Sequence, residues 1–496
     1  MTLQPAVISR DLSQFVLIPA GMALLSLPVC VISQEWFVIA PFVATLLVAG
    51  TLSIVLRALG KTTQAPASLQ QTFLSVALGW LLVATIGALP LWLTALAMGP
   101  DAPPTVANFS DGLNALFEGF SGFTSAGLSM ASQPSQLPAS LQWWRSFMQW
   151  VGGVGVIVLA IALVEPTQAQ YILYEAEGRQ TRLRLTVTRT VRRIWIIYIG
   201  YTAFGILLFR ISGMTWWAAL NHAMCAIATG GFSITDDSMG AYGTATKLSI
   251  MIVMICGAIS FSVHDQVILR RQLSAIWKDY QHRLLLGIIL VGSALVSAEY
   301  YRFTGQFNWI DSAFQWVSAL TTCGFATQSI QFWSSSNKIW LSIAMIIGGA
   351  ASSTVGGIKL ERVMALWEAL CWRFRRTTLS PRQIALRGIN GQLLTPDQAS
   401  RQIEDATAIA LLWLISIVVS VLILIPIVPA EYGLSDVLFE ASSALGAAGL
   451  SVGITGPTLS WSGKSLLIFL MWIGRLEIIP VLMLLYAPWQ YLFRRR

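Results

Sequence analysis

The sequence predicts an all-α polytopic membrane protein in which four parallel span–pore-helix–span repeats surround one pore, behind two extra N-terminal spans. Three observations carry this reading. Hydrophobic residues make up 55% of the 496 and charged residues only 11%. Soluble domains carry about 25% charged residues, so this chain cannot cover a water-soluble globule of its size. Apolar stretches of the roughly twenty residues needed to cross a bilayer as helix recur along its whole length. Finally, four short segments, spaced at intervals of roughly a hundred residues, end alike in a glycine preceded by small or hydroxyl residues and followed by a bulky apolar one.

Spans are expected at 14–33, 36–56, 73–97, 143–164, 194–211, 248–264, 284–301, 338–373 (interrupted), 406–428 and 465–487. The first follows Arg10, contains Pro19 and Pro28 and has no small-residue cleavage site, so it reads as a retained span rather than a signal peptide. Between the third and fourth, fifth and sixth, seventh and eighth, and ninth and tenth spans lie shorter apolar pieces, too short to cross. Each runs straight into one of the glycine segments, as a re-entrant half-helix followed by an extended strand would. The expected organisation is a two-span region over 1–65 and repeats over 66–178, 179–275, 276–390 and 391–496. Two spans per repeat give all four the same orientation, hence an axis along the membrane normal.

Charge sets the sidedness. Arg179, Arg182, Arg184, Arg189, Arg192 and Arg193 share one connection, Arg270, Arg271, Lys278 and Arg283 a second, and Arg373, Arg375, Arg376, Arg382, Arg387 and Arg401 a third. Arg57, Lys61 and Arg494 to Arg496 fall on the same side, which is cytoplasmic by the positive-inside rule. The net charge of +8 is therefore a matter of topology, not of nucleic-acid binding. The opposite side carries Asp101, Asp111, Glu118, Asp236, Asp237, Asp311, Glu431, Asp436 and Glu440, an acidic vestibule that would concentrate cations.

The glycine segments are Thr124-Ser125-Ala126-Gly127-Leu128, Ala228-Thr229-Gly230-Gly231-Phe232, Thr321-Thr322-Cys323-Gly324-Phe325 and Gly446-Ala447-Ala448-Gly449-Leu450. Nine positions before the aligned glycine stand Glu118, His222, Gln315 and Glu440, and six before it Ser121, Cys225, Ser318 and Ser443. Small residues can also serve close helix packing, but four segments in register, each after a non-spanning half-helix, argue for a cation selectivity filter. Carbonyls of Ser125, Ala126 and Gly127, of Thr229, Gly230 and Gly231, of Thr322, Cys323 and Gly324, and of Ala447, Ala448 and Gly449 would replace the hydration shell of potassium. A small divalent ion would ask for carboxylates instead, and the segments hold none. The half-helix C-termini, partly negative, favour a cation at the same place. The polar residue nine positions upstream either ties the half-helix to a neighbour or shapes the vestibule.

The eighth span is broken by Gly348-Gly349-Ala350-Ala351-Ser352-Ser353-Thr354-Val355-Gly356-Gly357. Glycine costs a helix interior about 1 kcal/mol relative to alanine, and irregular backbone survives at membrane depth only where it is buried or lines a cavity. The expectation is a loop below the filter that obstructs the pore, a gate including Gly348, Gly349, Ser352, Ser353, Thr354, Gly356, Gly357 and Lys359; a kinked ordinary helix is the alternative. Arg475, buried in a span, joins that gate if it faces the pore; otherwise it pairs with a carboxylate of another repeat or snorkels to the cytoplasm. The five cysteines are scattered, and His222, His264 and His282 lack metal-ligand spacing or a nucleophile beside them, so no catalytic machinery is expected.

The motifs Trp144-Arg145-Ser146-Phe147-Met148-Gln149-Trp150-Val151-Gly152-Gly153-Val154-Gly155, Thr321-Thr322-Cys323-Gly324-Phe325, Gly356-Gly357-Ile358-Lys359 and Gly474-Arg475-Leu476-Glu477 give the chain a family likeness. It resembles the membrane subunits of the Trk/Ktr/HKT superfamily of potassium transport proteins, most of all the bacterial TrkH type, over nearly its whole length. The resemblance implies one filter glycine per repeat, at Gly127, Gly231, Gly324 and Gly449, and an intramembrane loop from Gly348 to Lys359. It also implies the repeat-four arginine at Arg475, the bacterial cytoplasmic (inner) membrane, a homodimer, and a cytosolic nucleotide-binding regulatory subunit of the TrkA kind. The fourth segment departs from many relatives in having Ala447-Ala448 where a Thr or Asn is usual, which implies weaker potassium-over-sodium selectivity. The expected function is potassium uptake through a gated pore driven by the membrane potential, with potassium symport coupled to protons or sodium as the alternative.

Overall fold

A backbone in hydrocarbon must satisfy its own N–H and C=O groups, which forces the apolar stretches into helices. The computed structural model describes residues 4–60, 68–155, 187–378, 387–389 and 392–493. α1 (Pro5–Ile32) and α2 (Trp36–Gly60) form an antiparallel pair in which Gly60 lies against Arg10. Four groups of helices follow. The first is α3 (Leu69–Met98), α4 (Gly112–Phe123) and α5 (Ala139–Val154); the second is α6 (Val187–Ile211), α7 (Trp216–Ile227) and α8 (Thr244–Ala258). The third is α9 (Tyr280–Thr304), α10 (Trp309–Leu320), α11 (Ser335–Ile347) and α12 (Leu360–Thr378). The fourth is α13 (Pro396–Leu424), α14 (Leu434–Leu445), α15 (Trp461–Arg475) and α16 (Ile479–Phe493).

The short helices α4, α7, α10 and α14 are each 12 residues long, roughly 18 Å at the helical rise and about half a hydrocarbon core. Their starts are capped by side chains: Asp111 accepts from Leu113 N, Thr215 from Ala218 N and Asn308 from Asp311 N, while Asp436 accepts from Gly433 N. Each second helix packs on the short helix of the next group: α5 on α7, α8 on α10, α11 on α14, and α15 on α4, which closes the circle. The long first helices of the last three groups lie outside, and α2 takes that place beside the first group, whose own α3 is mostly buried. α2, α6, α9 and α13 expose Leu47, Leu207, Leu290 and Leu422, the apolar outer surface expected toward lipid.

Among the described residues, six helices are long and apolar enough to cross a membrane, and two further pairs qualify only as bent spans. The sequence predicts an interruption in the eighth span only. In the structure the sixth is also broken, turning by 101° between α8 and residues Phe261–Leu269, and the tenth turns by 115° between α15 and α16. Neither break contains a glycine pair or a proline. Ser260 starts the new direction by capping Val263 N, and Glu477 and Ile478 turn the chain with φ of 55° and 67°. The fourth span is described only to Gly155, whose φ is 90°; positions 156–164 of that expected span lie outside the described residues, as do Lys61, Arg179, Arg182, Arg184, Arg382 and Arg494 to Arg496.

Among the described residues the fold is helical apart from one hairpin in the linker before α13, where strands β1 (Arg387–Ile389) and β2 (Gln392–Leu394) pair antiparallel with Gly388 opposite Leu393. A capping box between Thr395 and Gln398 then starts α13.

Candidate functional site

Every short helix ends in a right-handed residue (Thr124, Ala228, Thr321, Gly446), after which the backbone alternates in hand. Ser125, Thr229, Thr322 and Ala447 have φ of 55°, 50°, 45° and 50°, and Gly127, Gly231, Gly324 and Gly449 have φ of 79°, 75°, 88° and 83°; the residues between them are not left-handed. Alternation of this kind turns successive N–H groups to one side, as in an anion-binding nest, and leaves the carbonyls on the other. The N–H side is consumed by the helix. Ser125 and Ala126 donate to Gly122 and Ser121 carbonyls at 3.1 and 2.9 Å, and the pairs Thr229/Gly230, Thr322/Cys323 and Ala447/Ala448 repeat the pattern. On the other side, the carbonyls of 125–127, 229–231, 322–324 and 447–449 meet no hydrogen-bond donor among the described residues, Gly230 excepted.

The four segments meet in a closed ring. A Cβ built on Gly127 would lie 2.2 Å from the Gly230 carbonyl oxygen, one on Gly231 2.1 Å from that of Cys323, one on Gly324 2.2 Å from that of Ala448, and one on Gly449 2.6 Å from that of Ala126. Only a residue without a side chain fits so near a neighbouring strand at positive φ. The residues read from sequence as one ion site therefore do come together.

The polar residues nine positions upstream have one job between them: each ties its short helix to the strand that leaves its own glycine. Glu118 accepts from Met130 N at 2.8 Å and Glu440 from Val452 N at 3.1 Å, the His222 imidazole is 3.1 Å from Ser233 Oγ, and Gln315 donates to the Gln328 carbonyl at 3.1 Å. Glu118 also holds Arg145 at 2.7 Å, and that guanidinium reaches the Ser233 carbonyl and covers the Phe232 ring.

Next to the ring lies the 348–359 segment, irregular in backbone and bonded to three of the four groups. Thr354 donates from Oγ1 to the carbonyls of Ile227 and Gly257, both at 3.0 Å, and Thr322 Oγ1 accepts from Gly356 N at 2.9 Å. Ala350 N donates to Ala258 and Ser353 Oγ to Ala350. Ser352 accepts at its carbonyl from Phe261 N, linking the segment to the broken sixth span. Gly348 and Gly356 are in such close contact that a Cβ on Gly348 would lie 2.3 Å from the Gly356 oxygen. Gly349, between these two residues, packs on Val355 and Ala258.

Arg475 reaches backbone carbonyls of two other helix groups. Its guanidinium donates to the Thr354 carbonyl at 3.2 Å and to the carbonyls of Gly152 and Gly153, the last turn of α5, where a cation offsets the helix dipole. Thus one side chain of the fourth group joins the first group to the third-group segment. Ser353, Gly356, Gly357, Lys359, Arg475 and Glu477 line one cavity below the ring.

Several residues that hold the site together are not singled out by sequence. Glu477 pairs with Lys359 at 2.7 Å and with Arg362. Gln149, fully buried, bonds the second glycine segment. On the outer side Lys247, Lys338 and Lys464, each the fourth residue of its helix, reach Asp311, Asp436 and Asp111 of the following group at 2.7, 2.6 and 3.8 Å. Gln142 holds the equivalent place, accepting from Trp217 Nε1 at 2.9 Å. Such pairs lie 64 or more residues apart and are invisible to local pattern, although lysine at the start of an apolar span is itself a signal.

A family model described as TrkH, cation transport protein, matches residues 39–290 and 304–491. An uncharacterized cation transporter of Methanocaldococcus jannaschii is 34% identical over 417 residues, covering 84% of this chain and 82% of its own. The Trk system potassium uptake protein TrkH of Halomonas elongata is 29% identical over 425 residues, 83% of this chain and 84% of its own. The crystal structure of the potassium transporter TrkH from Vibrio parahaemolyticus superposes with a TM-score of 0.79 at 25% identity, over 97% of this chain and 99% of the other. With its apolar helices, the chain is a multi-pass protein of the bacterial inner membrane, in a family of transporters rather than enzymes. It belongs to the TrkH family of cation transport proteins.

Proposed function

We propose that this protein carries potassium into the cell through a single gated pore, with the four glycine segments as its selectivity filter. The observation that supports this most is the set of carbonyls without hydrogen-bond donors on one face of a closed ring. Unmet carbonyls are costly, and a ring of them is what a large, weakly hydrated monovalent cation can satisfy. Ser125 to Gly127, Thr229 to Gly231, Thr322 to Gly324 and Ala447 to Gly449 are the ion-facing residues, and the repeats run over 66–178, 179–275, 276–390 and 391–496.

The 348–359 segment is the gate, held shut by Arg475. Membrane potential drives the ion: one elementary charge crossing 100 mV is worth about 2.3 kcal/mol. Relatives are named as parts of a Trk system, in keeping with a homodimer that docks a cytosolic, nucleotide-binding TrkA-like subunit. The test is cation flux through the purified protein in liposomes. Potassium flux well above sodium flux, with a reversal potential indifferent to proton and sodium gradients, is expected; a reversal potential that follows either gradient establishes coupled symport instead.

A further inference from the structure

Three of the four segments place a small side chain just before the aligned glycine: Ala126, Cys323 and Ala448. The second has Gly230 there, and the space is not empty. A Cβ built on Gly230 would fall 2.5 Å from Cδ of Gln149, 2.6 Å from its Oε1 and 2.9 Å from its Nε2. Gln149 comes from α5 of the first group, is fully buried, and aims its amide at the second segment. Nε2 donates to the Gly230 carbonyl at 2.5 Å and Oε1 accepts from Phe232 N at 2.9 Å. Only this orientation of the amide satisfies both partners, because the carbonyl cannot donate and the N–H cannot accept. The backbone of the same residue is engaged by the first segment, where Ser125 Oγ donates to the Gln149 carbonyl at 3.2 Å.

We propose that Gln149 is a positioning residue that sets the cation specificity of the ring: its amide stands in for the side chain that residue 230 lacks, and it fixes the Gly230 carbonyl. This rests on the filter reading above. The consequence is an asymmetric ring. The Gly230 oxygen already shares its charge with an N–H donor, so it offers a passing ion a weaker field than the carbonyls of Ala126, Cys323 and Ala448. It also cannot move inward to meet a smaller ion without stretching the bond to Nε2. Both effects disfavour sodium. Without the amide, a two-glycine stretch has the backbone freedom to follow a small ion.

The experiment compares potassium, rubidium and sodium influx into liposomes holding wild-type protein, Gln149→Met, and the double variant Gln149→Ala with Gly230→Ala. Methionine keeps the length and apolar stem but offers no amide. Relative to potassium, sodium flux is expected to rise roughly tenfold in Gln149→Met, about the worth of one well-made hydrogen bond. In the double variant a methyl group fills the same space, as in the other three segments, and selectivity is expected to return toward wild type. If Gln149→Met lowers all fluxes in proportion, the residue is merely structural and the proposal fails. It fails also if selective wild type and Gln149→Met show the same ratio, or if the double variant is as unselective as the single one. A wild type that does not distinguish potassium from sodium overturns the filter reading itself, which the other outcomes leave standing.

Discussion

Lys359 and Glu477 form a 2.7 Å ion pair in which both residues occupy left-handed backbone, with φ of 76° and 55°. Non-glycine residues at such angles store about 1–3 kcal/mol each and persist only where their surroundings hold them. Here one ends the irregular third-group segment and the other begins the sharp turn of the tenth span, so a single pair clamps two strained points together. Arg362 adds a second cation to the same carboxylate. Glu477→Gln removes the charge from both contacts. Potassium flux through the variant in liposomes is expected to rise several-fold, because breaking a buried pair costs about 3–5 kcal/mol and that loss falls on the closed arrangement. A flux at or below wild type, with equal protein incorporated, counts against the clamp.

Arg475 acts on the other end of the segment, through the carbonyls of Thr354, Gly152 and Gly153. A guanidinium forks between acceptors; an ammonium is a point charge that serves one place at a time. Arg475→Ala is therefore expected to raise potassium flux, and Arg475→Lys to fall between it and wild type. Deleting 350–354 should raise flux too while leaving the preference for potassium over sodium intact, since the ring's own carbonyls are untouched. Equal fluxes in wild type, Arg475→Ala and the deletion would remove the gate.

At Gly127 a substituent collides with the strand beside it. Its Cβ would stand 2.2 Å from the Gly230 oxygen and 3.1 Å from the Gly449 Cα, both backbone atoms that no rotamer change can clear. The residue's φ of 79° adds strain for any L side chain. Gly127→Ala is expected to cut potassium flux by at least about tenfold, the effect of losing some 1.4 kcal/mol at the ion site. The protein should still be recovered from membranes and run at wild-type size on gel filtration. Wild-type flux and selectivity in this variant would show that the ring is not where ions pass.

How far the sequence revealed this depends on the kind of signal. The glycine segments were legible because positive φ and close approach leave few residue choices, so Gly127, Gly231, Gly324 and Gly449 stand out. Gly348 to Gly357 was legible for the same reason. The breaks at Ser260 and at Glu477-Ile478 were not, because the apolar run resumes on both sides of each and neither carries a glycine pair. Glu477 stands two residues from Arg475, a spacing that points to different sides of a helix, and its partners come from the third group. Gln149 read as one polar residue in a tryptophan-rich helix; nothing local says that its amide ends against Gly230. The hairpin Arg387–Leu394 hid in a basic linker with too few apolar residues to show alternation.

The outer pairs separate two strengths of electrostatics within one design. Asp436 faces Lys338 at 2.6 Å with side-chain exposures of 12% and 7%. Asp111 faces Lys464 at 3.8 Å and is itself 55% exposed. Water already screens the second carboxylate, so its pair is worth up to about 1 kcal/mol. In the first, asparagine at position 436 would leave a buried ammonium without its counter-charge, at a cost of about 3–5 kcal/mol. Asparagine can still cap the helix start in both places, so the capping contribution cancels in the comparison. Asp436→Asn is therefore expected to lower the melting temperature in detergent, followed by tryptophan fluorescence, by several times the shift seen for Asp111→Asn. Raising salt should narrow the difference between wild type and Asp111→Asn but not between wild type and Asp436→Asn, because buried pairs are little screened. Equal shifts in the two variants would mean that the clasps between neighbouring groups hold by packing alone.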